Sequence, residues 1–322
     1  MDMLQRNGIE TELIKLNTDV DFDNIRSFQV YGVYPFSFGK VLGKIKEAGK
    51  LVIYDNDDAI DLIEPTNPFY YAVKKDSSSH GEIIQYADHL TVSTERMKEL
   101  MSKKTKAPIT VVPNCYSELE WTFPRPKREG IRIGFSGSST HVMDLIHVLP
   151  IIKKLQDENR DIIFLISGFG QGSYEEWRQQ FAFVSPPEAT KLLDELHENI
   201  KDIKFEWIPF VDTSVFPQVL TNMALDIGIC PLLDTPFNNA RSACKALEYT
   251  LSGALTLASD LTPYQSEPTS VLVKPDEWEE KLTYFIENPN EREEKRQEHL
   301  KWIKENREIN SLLPLLKSIY LP

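Results

Sequence analysis

Short runs of branched apolar residues, each followed by helical or turn-like sequence, recur along this chain and limit its fold more than any other feature. ETELIKL, FQVYGV, LVIYD, LTVS and ITVV form a first series. IRIGFSG, IIFLISG, IKFEWIPF, DIGICPL, ALTLAS and VLVK form a second, beginning at Ile131. Runs of this length, bounded by turn residues and alternating with helical stretches, make parallel sheets wrapped by helices. Between the two series, CYSELEWTFPRPKREG (Cys115 to Gly130) carries two prolines and a charge cluster without periodicity, as a connection between domains does.

The 322 residues suit two domains of about 100 to 200 residues each. We therefore expect an α/β chain of two Rossmann-like domains facing a cleft. The boundaries read 1–118 for the N-terminal, acceptor-side domain, 119–130 for the linker, 131–300 for the second domain and 301–322 for a C-terminal helix that crosses back to the first. From Glu277 on the sequence is strongly helical, with breaks near Pro289 and Asn310. The start is irregular: MDMLQRNGIETELI reads as a helix tail running into what should be a second strand. A Rossmann unit opens with a strand and a glycine-bearing turn, so either the first strand is absent or the sheet is completed differently.

A formal charge of -13 argues against a long nucleic-acid groove, since phosphate affinity comes from Lys and Arg. Cys115, Cys230 and Cys244 are odd in number and widely spaced, which gives neither a disulfide framework nor a zinc signature and points to a reducing compartment. No stretch approaches the roughly 20 apolar residues that span a bilayer, and the polar N-terminus is not signal-like, so a cytoplasmic protein is expected. VYPFSFGKVLGKIKEAGK (Val33 to Lys50) mixes aromatics with lysines and could dock on a membrane, but it reads better as an amphipathic helix with solvated lysines.

The most informative segment runs from Asp234 to Tyr264, DTPFNNARSACKALEYTLSGALTLASDLTPY. At about 100° per residue, Arg241, Lys245 and Glu248 fall within about 60° on one helix face, with Leu247 and Leu251 turned toward a core. Pro236-Phe237-Asn238-Asn239 is loop-like, which puts Arg241 and Ser242 in the first turn, where free N–H groups and the helix dipole favour a phosphate. Lys245 adds a cation, and Glu248 a carboxylate able to accept hydrogen bonds from vicinal sugar hydroxyls. Phosphate followed by ribose is the order of a nucleotide; a solvated ladder of helix ion pairs fits the same spacing equally well.

Lys245, Glu248 and Tyr249, then Gly253 and the strand ALTLASD before Pro263-Tyr264, resemble the donor-binding signature of the retaining glycosyltransferase family 4 (glycosyl transferases group 1). The resemblance implies the GT-B architecture. It assigns the nucleotide ribose to Glu248, the diphosphate to Lys245 and Ser242, and the donor sugar to backbone amides of Phe237, Asn238, Asn239 and Ala240. The family's second glutamate, eight positions earlier, is here Ala240, and Asp234 or Asn238 would take its part. Less specifically, ADHLTVSTERMKEL followed by ITVVPN is similar to the close of that family's first domain. Gly137-Ser138-Ser139-Thr140-His141 stands where the family has a phosphate-facing loop, with His141 in place of the usual basic side chain; Ser139 or Thr140 capping the next helix is the simpler alternative.

Asp55, Asp57 and Asp58 in LVIYDNDDAIDLI are three close acids at a strand end. Acceptor binding or turn capping suits them better than a metal, because ligands sit beyond the carboxyl ends of parallel strands. His80 and His89 are candidate cleft residues of the first domain. No G-x-S-x-G, Walker loop or H-E-x-x-H occurs. The expected activity is transfer of a sugar from a nucleoside diphosphate sugar, with retention, without metal or other cofactor. His80, Asp55 and Asn238 are the catalytic candidates. The acceptor is a glycan, a lipid-linked glycan, a protein or a modified nucleic acid, and nothing in the sequence signals an oligomeric state. Two further readings are a phage-type transferase acting on DNA bases, through a local basic path at Arg125, Lys127 and Arg128, and a nucleotide-sugar-binding protein without turnover.

Overall fold

The computed structural model describes residue 10 and residues 27–31, 38–138, 141–158, 161–170 and 172–321. The chain divides into two compact units, one formed by the residues up to 61 with 74–117 and those from 306 on, the other by 62–73 and 118–305.

The smaller unit is built on a parallel sheet of β1 (Ser27–Tyr31), β2 (Leu51–Asn56), β3 (His89–Val92) and β4 (Ile109–Val111), in that order. The expected strand ETELIKL lies outside the described residues apart from Glu10. The helix Phe38–Glu47 buries Leu42 and Ile45 and exposes Lys40, Lys44 and Lys46, the amphipathic arrangement with solvated lysines; residues 33–37 lie outside the described ones. Thr94 caps the helix Glu95–Met101 by accepting the Met97 amide at 3.1 Å. The end of the chain belongs to this unit. Tyr116 exchanges backbone hydrogen bonds with Arg307 and Ile309, and Ser27 Oγ donates to the Tyr320 carbonyl at 3.1 Å.

The larger unit carries β5 (Ile131–Ser136), β6 (Ile162–Ser167), β7 (Phe205–Ile208), β8 (Ile227–Cys230), β9 (Leu255–Ser259) and β10 (Val271–Val273). All pairs are parallel and the spatial order is β10-β9-β8-β5-β6-β7. This is the doubly wound order: the chain winds outward through β6 and β7, then returns to lay β8 beside β5 and winds the other way. Near-continuous burial along β5, β6, β8 and β9 follows from helices on both faces, and explains why these runs are apolar throughout rather than alternating.

Two glycines pair at the centre, Gly134 against Gly228. A Cβ on Gly228 would lie 2.3 Å from the Tyr249 ring, so its absence lets the helix Cys244–Ser252 lie close on β8. That helix stops at Gly253, whose φ of 100° is the left-handed cap that glycine adopts without strain. Among the described residues no helix is long and apolar enough to cross a membrane.

Candidate functional site

A doubly wound sheet binds ligands outside the carboxyl ends of its strands where the winding reverses. Here that place is marked by the loops leaving β5 and β8. Gly137 follows β5 and donates its amide to the Ser167 carbonyl at 3.0 Å. A Cβ on Gly137 would stand 2.9 Å from Lys245 Nζ and 3.2 Å from the Phe135 ring, so glycine is what lets the ammonium approach this loop. The same Nζ lies 5.0 Å from the Phe135 ring centroid, within cation–π range. Burial, and next the neighbouring Arg241 charge, bring the Lys245 pKa down to about 8.

Glu248 stands one turn further along and is half-buried. Burial raises its carboxyl to about 7, against the opposing effects of the Cys244 thiol, which donates to Oε1 at 3.5 Å, and of Lys245. Tyr249 on the next position is fully buried and its hydroxyl accepts the Ser136 amide at the end of β5. That bond ties the helix to the strand whose loop it faces, and it spares a buried N–H that would otherwise lack a partner.

The start of this helix corrects the sequence pattern. Ala243 is the N-cap and the helix begins at Cys244, so Lys245 occupies the first turn, while Arg241 and Ser242 precede it. Arg241 is extended, with ψ of 171°, and closes a short 3-10 turn, Asn238–Ala240. The competing structure is local: Asn239 N donates to the Thr235 carbonyl at 2.9 Å and Asn238 N to Thr235 Oγ1 at 3.1 Å, which draws the chain out of helical register. Arg241 therefore does not share the helix face of Lys245 and Glu248; its guanidinium lies 5.2 Å from the Phe237 ring centroid.

Phe237, Asn238 and Ala240 are buried, and Asn239 is held by Asp234 Oδ1 at 2.6 Å and the Thr235 carbonyl at 3.1 Å. Ala240 is 1% exposed, so the position of the resembled family's second glutamate is a small core contact here. Asn238 turns its amide inward, donating to Asp144 Oδ1 and to the Leu233 carbonyl, both at 3.0 Å. Ser138 is exposed, and Ser139 and Thr140 lie outside the described residues. His141 is buried, with Nδ1 2.8 Å from Asp144 Oδ2; burial, Lys245 and Arg241 hold its pKa well below the usual histidine value. Its Nδ1 is thereby engaged by the protein itself.

Sequence reasoning passed over Asp144 and Phe135. The i, i+3 spacing of His141 and Asp144 at a helix start was a signal for the first. Phe135 gave none, because in a buried strand an aromatic that carries a cation looks like any other core residue. It also stacks on Phe169, with centroids 5.7 Å apart, and Phe169 stacks in turn on Trp207 at 5.8 Å.

In the smaller unit Asp55 is the last residue but one of β2 and half-buried, accepting Thr91 Oγ1 at 2.7 Å and Gln29 Nε2 at 2.9 Å; burial raises its pKa. His80 is 1% exposed and bonded through Nδ1 to the Tyr54 hydroxyl at 2.7 Å, and burial lowers it to about 4. It is a neutral core histidine, with almost no surface left for a substrate. His89 begins β3, the end of the strand opposite to ligand sites, and pairs with Thr110 Oγ1 at 2.8 Å. Among the described residues no group of three or more His, Cys, Asp or Glu side chains converges as metal ligands would, the acids near Asp55 included.

No protein-family model and no curated protein sequence matches the chain. Solved structures match it in fold. An α,α-trehalose-phosphate synthase (UDP-forming) from Burkholderia xenovorans, in complex with glucose-6-phosphate, gives a TM-score of 0.61 at 13% identity, over 92% of this chain and 74% of that one. HepE of Anabaena, in complex with UDP, gives 0.58 at 10% identity over 90% and 78%. TarM gives 0.63 at 12% identity over 92% of this chain and 55% of its own. At such identities the likeness is one of fold: two Rossmann-like α/β units, the GT-B fold of these glycosyltransferases.

Proposed function

We propose that this chain is a glycosyltransferase that moves a sugar from a nucleoside diphosphate donor to an acceptor with retention, the larger unit holding the donor and the smaller one the acceptor. The observation that carries this is Lys245: an ammonium in the first turn of a helix, on an aromatic face, against a glycine loop at the switch point, with Glu248 one turn away. The diphosphate would lie by Lys245 and the Gly137 loop, and the ribose hydroxyls by Glu248. In the reaction the bond from the anomeric carbon to the β-phosphate oxygen breaks, its electron pair staying on the diphosphate. The acceptor oxygen bonds to that carbon and its proton passes to the departing diphosphate. The charge growing on the diphosphate meets Lys245 and Arg241, cations already in place before the reaction begins.

The fold neighbours lend support. HepE is solved with UDP, a trehalose-6-phosphate protein from E. coli is bound with UDP-2-fluoro glucose, and a trehalose-6-phosphate synthase is described for glycosyl transfer with retention. The test is donor hydrolysis and transfer by purified protein over a panel of nucleoside diphosphate sugars. Loss of turnover in both Lys245→Ala and Glu248→Ala is expected; turnover undiminished in both would overturn the assignment. A second reading, donor binding without turnover, is favoured by the buried Ala240, which brings no carboxylate to the sugar. Tight calorimetric binding without turnover against any acceptor pool would select it.

A further inference from the structure

We propose that Asp144 is a positioning residue for the sugar-facing end of the donor site, tying the segment after β5 to the loop after β8. This rests on the donor-site reading above.

Asp144 sits on the short helix Val142–Ile146 and is 3% exposed. Three groups from two segments meet its carboxylate. Oδ2 lies 2.8 Å from His141 Nδ1, Oδ1 accepts the Leu233 amide at 2.8 Å, and Oδ1 also accepts Asn238 Nδ2 at 3.0 Å. Two of these reach across 89 and 94 residues of sequence. Asn238 Nδ2 divides itself between Asp144 and the Leu233 carbonyl, so one carboxylate and one amide close the loop from Leu233 to Asn238 on itself. The 3-10 turn that follows leads directly into Arg241 and the helix of Lys245.

A buried carboxylate is costly unless its lone pairs are filled, and a packed apolar side chain would avoid that cost. Nor does its charge help a diphosphate, since Lys245 and Arg241 both act electrostatically on Asp144 and an anion beside those cations opposes a second one. What the carboxylate does supply is the fixed course of residues 233–240, which lead into Arg241 and Lys245 and on the donor-site reading border the sugar; the amides of Asn238, Asn239 and Ala240 are spent within this turn and do not serve the sugar as the resemblance implied. The two effects separate experimentally: removing the charge while keeping the shape should spare or improve the grip on a diphosphate and impair the grip on a nucleotide sugar.

The experiment is calorimetry on the full chain with UDP, GDP, ADP, CDP and dTDP, then with the glucose conjugate of the tightest binder, together with hydrolysis kinetics on that conjugate. For Asp144→Asn the nucleoside diphosphate Kd should hold or tighten, while the conjugate binds about 10- to 100-fold more weakly, the scale of lost charge-assisted hydrogen bonds. The hydrolytic kcat should fall with the loss of sugar positioning. Asn238→Ala cuts the same tether from its other end without changing charge, and should show the same split; it decides the matter if thermal melting shows Asp144→Asn unfolded. Equal losses for diphosphate and conjugate would mean a merely structural role and overturn the proposal, as would wild-type behaviour toward both. If the wild-type chain binds none of the five diphosphates, the donor-site reading itself fails and takes this one with it.

Discussion

The two ends of the larger unit's sheet treat their cations in opposite ways. At the amino end Arg132 donates Nε to the Met223 carbonyl at 2.7 Å and pairs with Glu206 at 2.9 Å. Arg125 donates to the carbonyls of Ala224 and Leu225, and both Arg125 and Arg292 reach Asp226 at 3.3 Å. Cavities of about 300 and 200 Å³ open there, one lined by Arg128 and Arg132, the other by Arg125, Arg292 and Arg296. At the carboxyl end Lys245 rests on Phe135 with its pKa brought down to about 8. Concavity and positive charge therefore do not by themselves mark an anion site. Arginines already satisfied by carbonyls and carboxylates gain little from a ligand, whereas a half-buried lysine whose charge is disfavoured is relieved by an anion.

The contrast breaks most sharply on paired substitutions. Lys245→Ala should weaken nucleoside diphosphate binding about 10- to 100-fold and lower turnover about 100- to 1000-fold, with little change in melting. Arg132→Ala should do the reverse, leaving affinity intact and costing about 1–3 kcal/mol of stability for the unsatisfied groups it leaves. Calorimetry and urea titration on the same samples compare them; affinity lost in both, or in neither, erases the distinction.

The two glycines that fit the helix Cys244–Ser252 to the sheet divide along the same line. Gly228→Ala drives a methyl into Tyr249, and should cost about 1–3 kcal/mol of overpacking while weakening the diphosphate as the helix shifts. Gly253→Ala strains a left-handed cap at the far end and presses its methyl on Arg125 Cδ, 2.8 Å away, with a cost of about 1–2 kcal/mol and unchanged affinity.

The smallest effect is in pH. Lys245 loses its proton as pH rises through about 8, so diphosphate affinity should fall above that point by at most about tenfold per unit. Glu248 gains a proton as pH falls through about 7, so the ribose contact should weaken below it. Affinity is then greatest between about 7 and 8, by calorimetry against pH. Lys245→Ala should remove the alkaline limb and Glu248→Gln the acid one; Arg132→Ala should change neither.

Much of this was legible beforehand for identifiable reasons. Ten strands, from FQVYGV to VLVK, could be read: β5, β6, β8 and β9 because strands buried on both faces must be apolar along their whole length, the others from branched residues bounded by turns. Lys245 and Glu248 could be read as neighbours because a helix brings positions three apart together. Arg241 was misjudged for the complementary reason: a local hydrogen bond to Thr235 outcompeted the helix, and helix starts are where such bonds compete best. His80 resembled a cleft residue until its burial against Tyr54 was seen, since one histidine in a polar helix carries no sign of which face it shows.

By itself, then, the sequence determined the two-sheet architecture and the helix that bears Lys245 and Glu248, because periodicity and turn chemistry are local properties. The order β10-β9-β8-β5-β6-β7, the Gly228–Tyr249 fit and the convergence of His141, Leu233 and Asn238 on Asp144 were decided only in the tertiary structure. They join residues up to 94 positions apart, and contacts at that distance come from strand order and packing, which no local pattern encodes.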